Sequence, residues 1–280
     1  MRLSTSFLLM KLFVKLFNFL GNYKLSHVNW WSTWLFNLRY FPLRTALKLP
    51  VFIYNRTKVY NLSTLELETN RIYKGMVRIG CNPVKATGNT KIFFTGKLVI
   101  RGSLDIWGGS IIEGTGTLDF GDCVMLGENC RIMCCEHIIF GNYIRVGFDC
   151  IFMDTDFHYI IDTQNLQVRR NTALVEVGSG SWISSNCKIM KGTRLPKASI
   201  VSGGSMVNKD FSGEQPCTIF VGVPAKPVKH GFRRIFNTKV EDALNEYFHA
   251  NPRAMSCELV DELTTSDLDN FCCSQFFRNR

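Results

Sequence analysis

The chain has 280 residues, 46% of them hydrophobic, and a formal net charge of +10. That length and apolar share exclude a disordered chain and allow one or two domains with a sizeable core. The charge is uneven: no Asp or Glu precedes Glu66, while Lys and Arg recur from Arg2 to Lys58. Such a basic opening predicts an anionic surface as partner, against the plainer reading of a solvated face.

Residues 1–60 read as a basic amphipathic segment. The apolar run from Phe7 to Leu20 is broken by Lys11 and Lys15, and it is shorter than the roughly 20 residues that span a bilayer. A secretory signal fits weakly, because charge interrupts the run and no small-x-small cleavage site follows. On a helix, Lys11, Lys15, Asn18 and Asn22 form one polar stripe. Trp30, Trp31 and Trp34 follow, and then Arg39, Arg44 and Lys48. Basic residues beside aromatic ones suit a helix lying on anionic lipid. The alternative is that the apolar face packs on the rest of the chain or on a neighbouring subunit.

Residues 61–93 predict an irregular first turn of a repeating structure, with strand-like alternation at Met76–Ile79. A hexad then begins. Phe94, Ile100, Ile106 and Ile112 stand six apart; after a two-residue slip come Phe120, Leu126 and Ile132; after another come Phe140, Val146 and Phe152. The most regular run is Val177, Ile183, Ile189, Leu195, Val201 and Val207, with the small residues Ser181, Cys187, Thr193, Ser199 and Ser205 four places behind its members. A period of six fits neither an amphipathic helix nor an alternating strand. It fits a parallel β-helix, in which three six-residue rungs close a triangular coil of about 18 residues. The fold class is therefore mainly β. Glycines follow the core residue at Gly121, Gly127, Gly141, Gly147 and Gly178, where a permissive backbone would turn the corner. The eleven cysteines are odd in number, and Cys130, Cys150 and Cys187 occupy the small-residue position. That predicts reduced thiols acting as small fillers in a cytosolic protein, with neither a disulfide framework nor a zinc finger.

Two features break the count. Phe152 and Val177 lie twenty-five residues apart, so a loop over 153–176 leaves the coil and returns, and excursions of that kind are commonly functional. Val207 ends the good rungs, and residues 220–229 read FVGVPAKPVK. The β-helix is thus expected over 61–229, followed by a tail over 230–280 with one helical pattern, Lys239–Phe248.

The hexads, the excursion containing DTDFH and the closing GVPAKPVK together resemble the left-handed β-helix acyltransferases of the hexapeptide family. The likeness covers roughly residues 75–230 and is nearest to the galactoside and maltose acetyltransferases and to the O-acetyltransferases of bacterial surface-polysaccharide clusters. It implies a left-handed coil, where the general rule for parallel crossovers would predict a right-handed one. It places the catalytic histidine on His158, six residues after Phe152. Moving an acyl group from a thioester to a hydroxyl needs a base within hydrogen-bond reach of the acceptor proton, and histidine suits that work. The alcohol then attacks the thioester directly, without a covalent enzyme intermediate. Asp154 and Asp156 lie close enough in sequence to orient the imidazole or raise its basicity, and both count among the residues expected to bind the acceptor.

The same resemblance maps the donor. Trp182 and Ser185 match positions lining the donor tunnel, Gly203 and Asn208 match positions meeting the pantetheine arm, and Lys226 and Lys229 match basic positions near the CoA phosphates. Rung packing or a solvated face is the plainer alternative for each. The site would lie between subunits of a homotrimer. The acceptor side departs from the sugar acetyltransferases: an Asn of that group aligns with Gly127, with Asn129 nearby, and an acidic position becomes Cys135, with Glu136 beside it. Ile132 and Phe152 should stack on one face, which would bring His137 near His158, to contact the acceptor or to pack at a corner.

The reading is a cytoplasmic, homotrimeric, acetyl-CoA-dependent O-acetyltransferase without a metal. It would act on a sugar or lipid-linked saccharide of surface-polysaccharide biosynthesis, with peripheral contact at the inner membrane face through residues 1–60. A γ-carbonic-anhydrase-like zinc enzyme needs three histidines on adjacent rungs, and only His137 and His158 lie in the solenoid. A scaffold that lost its chemistry would not need the DTDFH excursion or the GVPAK ending. Nucleic-acid binding has only the charge in its favour, without a recognition motif.

Overall fold

The computed structural model describes residues 25, 27–82, 86 and 88–257. The Phe7–Leu20 run, with its Lys11, Lys15, Asn18 and Asn22 stripe, lies outside the described residues, as does the tail beyond 257.

The hexads form a left-handed parallel β-helix. One face is a nine-stranded sheet whose strands run from Val51–Ile53 through Val77–Cys81, Leu104–Trp107, Val124–Leu126, Arg145–Val146, Trp182–Ile183 and Ile200–Val201 to Ile219–Gly222, closed by Ala225–Lys229. An eleven-stranded sheet makes the other two faces. It bends within Thr90–Ile100, whose first half pairs with Ile111–Gly114 and whose second half pairs with Thr117–Phe120. The second face continues through Arg131–Cys134, Ile151–Met153, Lys188–Ile189 and Met206–Val207; the third continues through His137–Phe140, Val175–Val177 and Arg194–Leu195.

Register turns the hexads into inward columns. Val146 stacks on Ile183 and Ile183 on Val201; Ile132 stacks on Phe152, Phe152 on Ile189 and Ile189 on Val207. Phe120, Phe140, Val177 and Leu195 form the third column. The Phe120 and Phe140 rings stack at 5.0 Å, and Phe152 meets Phe140 edge-on at 4.9 Å. All three are fully buried, and each such ring contributes about 1.5–3 kcal/mol of burial. The two slips in the hexad count are the wide corner between the second and third faces, around Thr115–Gly116 and Cys135–Glu136.

The corner between the first and second faces turns through left-handed residues: Gly109, Asn129, Asp149, Asn186 and Gly204. Asn and Asp tolerate that conformation better than most side chains. Gly127 and Gly147 have a different role from the one expected, since neither has positive φ. A Cβ on Gly127 would stand 2.7 Å from the Gly147 backbone, and one on Gly147 would stand 2.6 Å from the Ser185 nitrogen. Close stacking of coils demands glycine there, not torsional freedom. Cys130, Cys150 and Cys187 fill the space inside this corner as expected, and their thiols also donate to Gly147 O at 3.2 Å, Ser184 O at 3.0 Å and Ser202 O at 3.2 Å. Hydrogen bonding with Cys130, together with burial, pushes the Cys150 thiol up to about 12.

Three boundaries differ from expectation. The first coil opens at Val51–Ile53, which pairs with Val77–Cys81, so residues 51–60 belong to the solenoid and not to the N-terminal segment. Val207 is not the last rung: after the turns near 210–218, Phe220 stacks on Val201, with Phe211 4.8 Å away. Residues 153–176 are not a plain loop but contain the antiparallel hairpin Ile160–Asp162 with Gln167–Arg169. The predicted tail helix is present as Thr238–Ala250.

Among the described residues, the helices α1 (Trp30–Tyr40) and α2 (Leu43–Ala46) precede the first coil. Asn29 caps α1 by accepting from Ser32 N at 3.0 Å. One turn apart on the inner face of α1, Thr33 and Asn37 satisfy the open edge of Val51–Ile53. Ile53 N donates to Thr33 Oγ1 at 3.0 Å, Val51 N donates to Asn37 Oδ1 at 3.2 Å, and Asn37 Nδ2 donates to Val51 O at 2.7 Å. The helix thereby blocks an edge that would otherwise recruit another strand.

Candidate active site

The excursion leaves from the wide corner after Phe152, and its neck is closed by pairing between Thr155 and Thr172. DTDFH is a tight turn. Thr155 Oγ1 accepts from Phe157 N at 2.9 Å, Phe157 has φ +59°, and His158 N donates to Asp156 O at 2.7 Å. The turn leaves the His158 side chain exposed, two residues before the first strand of the hairpin.

The neck is clamped from both sides. From the coil below, the Glu136 carboxylate lies 3.1 Å from Arg170 Nη2, at an angle too poor for a hydrogen bond, so the contact is an ion pair. From the coil above, Lys191 pairs with Asp156 and donates to Arg170 O at 3.1 Å. Arg170 is mostly exposed, which leaves its ion pair worth well under about 1 kcal/mol. The clamp therefore positions the excursion more than it stabilises the fold. Lys191, Arg170 and Glu136 are far apart in sequence, and no spacing in the chain signals that they meet.

Asp154 is fully buried, and its two carboxylate oxygens accept from Cys135 N at 2.7 Å and Glu136 N at 2.8 Å. It ties the wide corner of one coil to the next. Asp156 faces Lys191. Both carboxylates are thus engaged with groups other than the imidazole of His158. His137 opens the strand beside Glu136, at the foot of the excursion, and its Nε2 is buried without a hydrogen-bond partner. Asn129 is a left-handed corner residue whose side chain lies over Gly109, so it shares neither the corner nor the face of the excursion.

The six donor residues divide among four places. Ser185 and Gly203 sit together on the corner between the first and second faces, and Gly204 N donates to Ser185 O at 3.1 Å. Asn208 follows Val207 on the column of Phe152 and Ile189, at the corner from which the excursion departs. Lys226 and Lys229 are exposed on the closing hairpin. Trp182 is half-buried on the first face, with the Arg234 guanidinium 5.3 Å above its ring. Arg234 also faces Phe236 at 5.3 Å, and Phe236 covers the buried Arg145. Residues 232–237 thus form a strap across the first face, and burial pushes the Arg234 guanidinium below its ordinary value. Among the described residues, no group of three His, Cys, Asp or Glu side chains converges as a metal site.

Coils of hexads, an excursion bearing one exposed imidazole and a closing hairpin are now all in place. The fold is a left-handed parallel β-helix of hexapeptide rungs. No family model matches the sequence, and no curated protein matches it either. Solved structures with a similar coil path include the polySia-specific acetyltransferase NeuO, 19% identical over 71% of this chain and 99% of its own, with a TM-score of 0.44. AntD, an N-acyltransferase from Bacillus cereus in complex with dTDP and 3-hydroxybutyryl-CoA, is 16% identical over 76% of this chain and 98% of its own, with a TM-score of 0.39. A hexapeptide-repeat-containing acetyltransferase from Vibrio cholerae, complexed with acetyl-CoA, is 20% identical over 50% of this chain and 70% of its own, with a TM-score of 0.31.

Proposed function

We propose that this chain is a CoA-dependent O-acyltransferase that moves an acetyl group from acetyl-CoA to a sugar hydroxyl of a surface-polysaccharide precursor in the cytoplasm. The observation that carries the reading is the clamped excursion with the exposed imidazole of His158, six residues beyond the Phe152 rung. In the proposed step His158 takes the acceptor hydroxyl proton while the oxygen attacks the thioester carbonyl. The carbon–sulfur bond breaks, CoA leaves as a thiolate and takes up a proton, and the acetyl ester remains on the acceptor. A free thiol is the stoichiometric product. Ser185 and Gly203 would line the pantetheine path, and Lys226 and Lys229 would meet the CoA phosphates.

On one chain the Ser185/Gly203 corner and the excursion corner are separated by the face that carries Ile151, Lys188 and Met206. An assembly that sets one chain's donor corner against another chain's excursion would bridge that gap. The hairpin also exposes Tyr159, Ile160, Leu166 and Val168 at 71%, 59%, 77% and 60%, an apolar surface that a neighbouring subunit would cover. The expected state is a homotrimer. Light scattering checks it, and an active monomer would rule out the shared site.

The function itself is tested by incubating the protein with acetyl-CoA and nucleotide-sugar, lipid-linked or oligosaccharide acceptors, following thiol release. Acceptor-dependent release with an ester product is expected. Absence of acetyl-CoA binding by calorimetry, with no release from any acceptor, would overturn the reading.

A further inference from the structure

We infer that the outer face of α1 and α2 docks on an anionic lipid bilayer. This inference does not rest on the acyltransferase reading. The inner face of α1 is used up by the solenoid: Thr33, Phe36 and Asn37 are buried. Its outer face carries Trp31, Trp34, Leu35 and Leu38, spaced i, i+3, i+4 and i+7, which is one stripe of a helix. They are 76%, 40%, 51% and 50% exposed, and Leu43 and Leu47 continue the surface at 65% and 59%. Six large apolar side chains in one patch call for a partner. Trp30, the third tryptophan of the cluster, points the other way and packs edge-on against Phe52 at 5.5 Å.

Charge selects the partner. Arg39, Arg44 and Lys48 are exposed around the stripe, Arg56 and Lys58 are exposed on the first coil, and no acidic residue precedes Glu66. A second copy of the same face would set these cations against their own duplicates. Residues 1–24 of the chain are basic as well, with Arg2, Lys11, Lys15 and Lys24 and no acid, so they would add to the charge, not neutralise it. A bilayer with anionic headgroups answers both demands. The leucines enter the acyl boundary, Trp31 and Trp34 lie at headgroup depth, and the cations meet phosphates. Because α1 covers the open edge of the first coil, the later coils and the excursion extend away from the docked end.

Flotation of the full chain with vesicles of phosphatidylcholine, with and without phosphatidylglycerol, tests the inference. Binding is expected to need the anionic lipid and to weaken as salt rises. Combined Trp31→Ser, Leu35→Ser and Leu38→Ser should abolish it, together with quenching of tryptophan fluorescence by brominated lipid. Should that variant fail to fold, Arg39→Gln with Arg44→Gln removes only exposed charge and should weaken binding about thirtyfold, from two cations near an anionic leaflet. Failure to float overturns the inference. So does binding that survives both sets of substitutions, which would place the anchor in residues 1–24. A change of oligomeric state in the serine variant, with no vesicle binding by the parent, would make the face an interface between chains.

Discussion

His158→Ala is expected to lower acyl transfer by about 10² to 10⁴, while acetyl-CoA binds and the protein melts as the parent does. The argument is one of position. The imidazole is exposed at the DTDFH turn, where the Thr155 hydroxyl, the Phe157 left-handed residue and the His158 N–H to Asp156 O bond hold the backbone. Truncating the side chain leaves each of those contacts in place, so folding should be indifferent to it. Loss of the base removes proton acceptance in the transition state and little else, which places the effect on turnover and not on donor affinity. Single-turnover thiol release and calorimetry with acetyl-CoA separate the two. Parental turnover in the variant would sink the assignment.

Asp154→Ala should behave in the opposite way, costing stability first. Its carboxylate accepts from Cys135 N and Glu136 N in a fully buried place. The alanine variant leaves two part-buried donors without partners, at about 1–3 kcal/mol each. The expected loss is therefore about 2–6 kcal/mol in urea unfolding, and activity should decline with the folded fraction. Asp154→Asn keeps one acceptor oxygen and should fall between alanine and the parent. Unchanged stability with lost turnover would instead make Asp154 a positioning residue for His158, the role its closeness in sequence suggests.

The contrast between these neighbours marks how far the sequence reads. DTDFH marks a turn with a histidine after a rung, and the fold has such a turn. The motif also invites the two aspartates to serve the imidazole, yet Asp154 reaches back to the preceding coil and Asp156 faces Lys191. The sequence distance from Asp154 to Cys135 is one coil of the solenoid, so their contact exists only once the coils stack. Similarly, three tryptophans near Arg39 suggest a single aromatic belt. The helix period divides them, sending Trp30 inward and Trp31 and Trp34 outward.

By itself the sequence determined the solenoid, its three columns and the corner that opens, because inward aliphatics recur at a fixed spacing along one chain and the core is narrow enough to enforce it. It also determined which corners slip, since the two added residues appear directly in the count between Ile112 and Phe120. Only the tertiary structure decided why Gly127 and Gly147 are glycines, which coils clamp the excursion through Glu136 and Lys191, and that Arg234 lies over Trp182. Each of these depends on groups brought together by stacking or by the returning tail. The 2.7 Å that a Cβ on Gly127 would leave to the Gly147 backbone, and a guanidinium over a ring, are properties of distances between segments far apart in sequence. A one-dimensional period carries the repeat along the axis but not the side-chain partners across it.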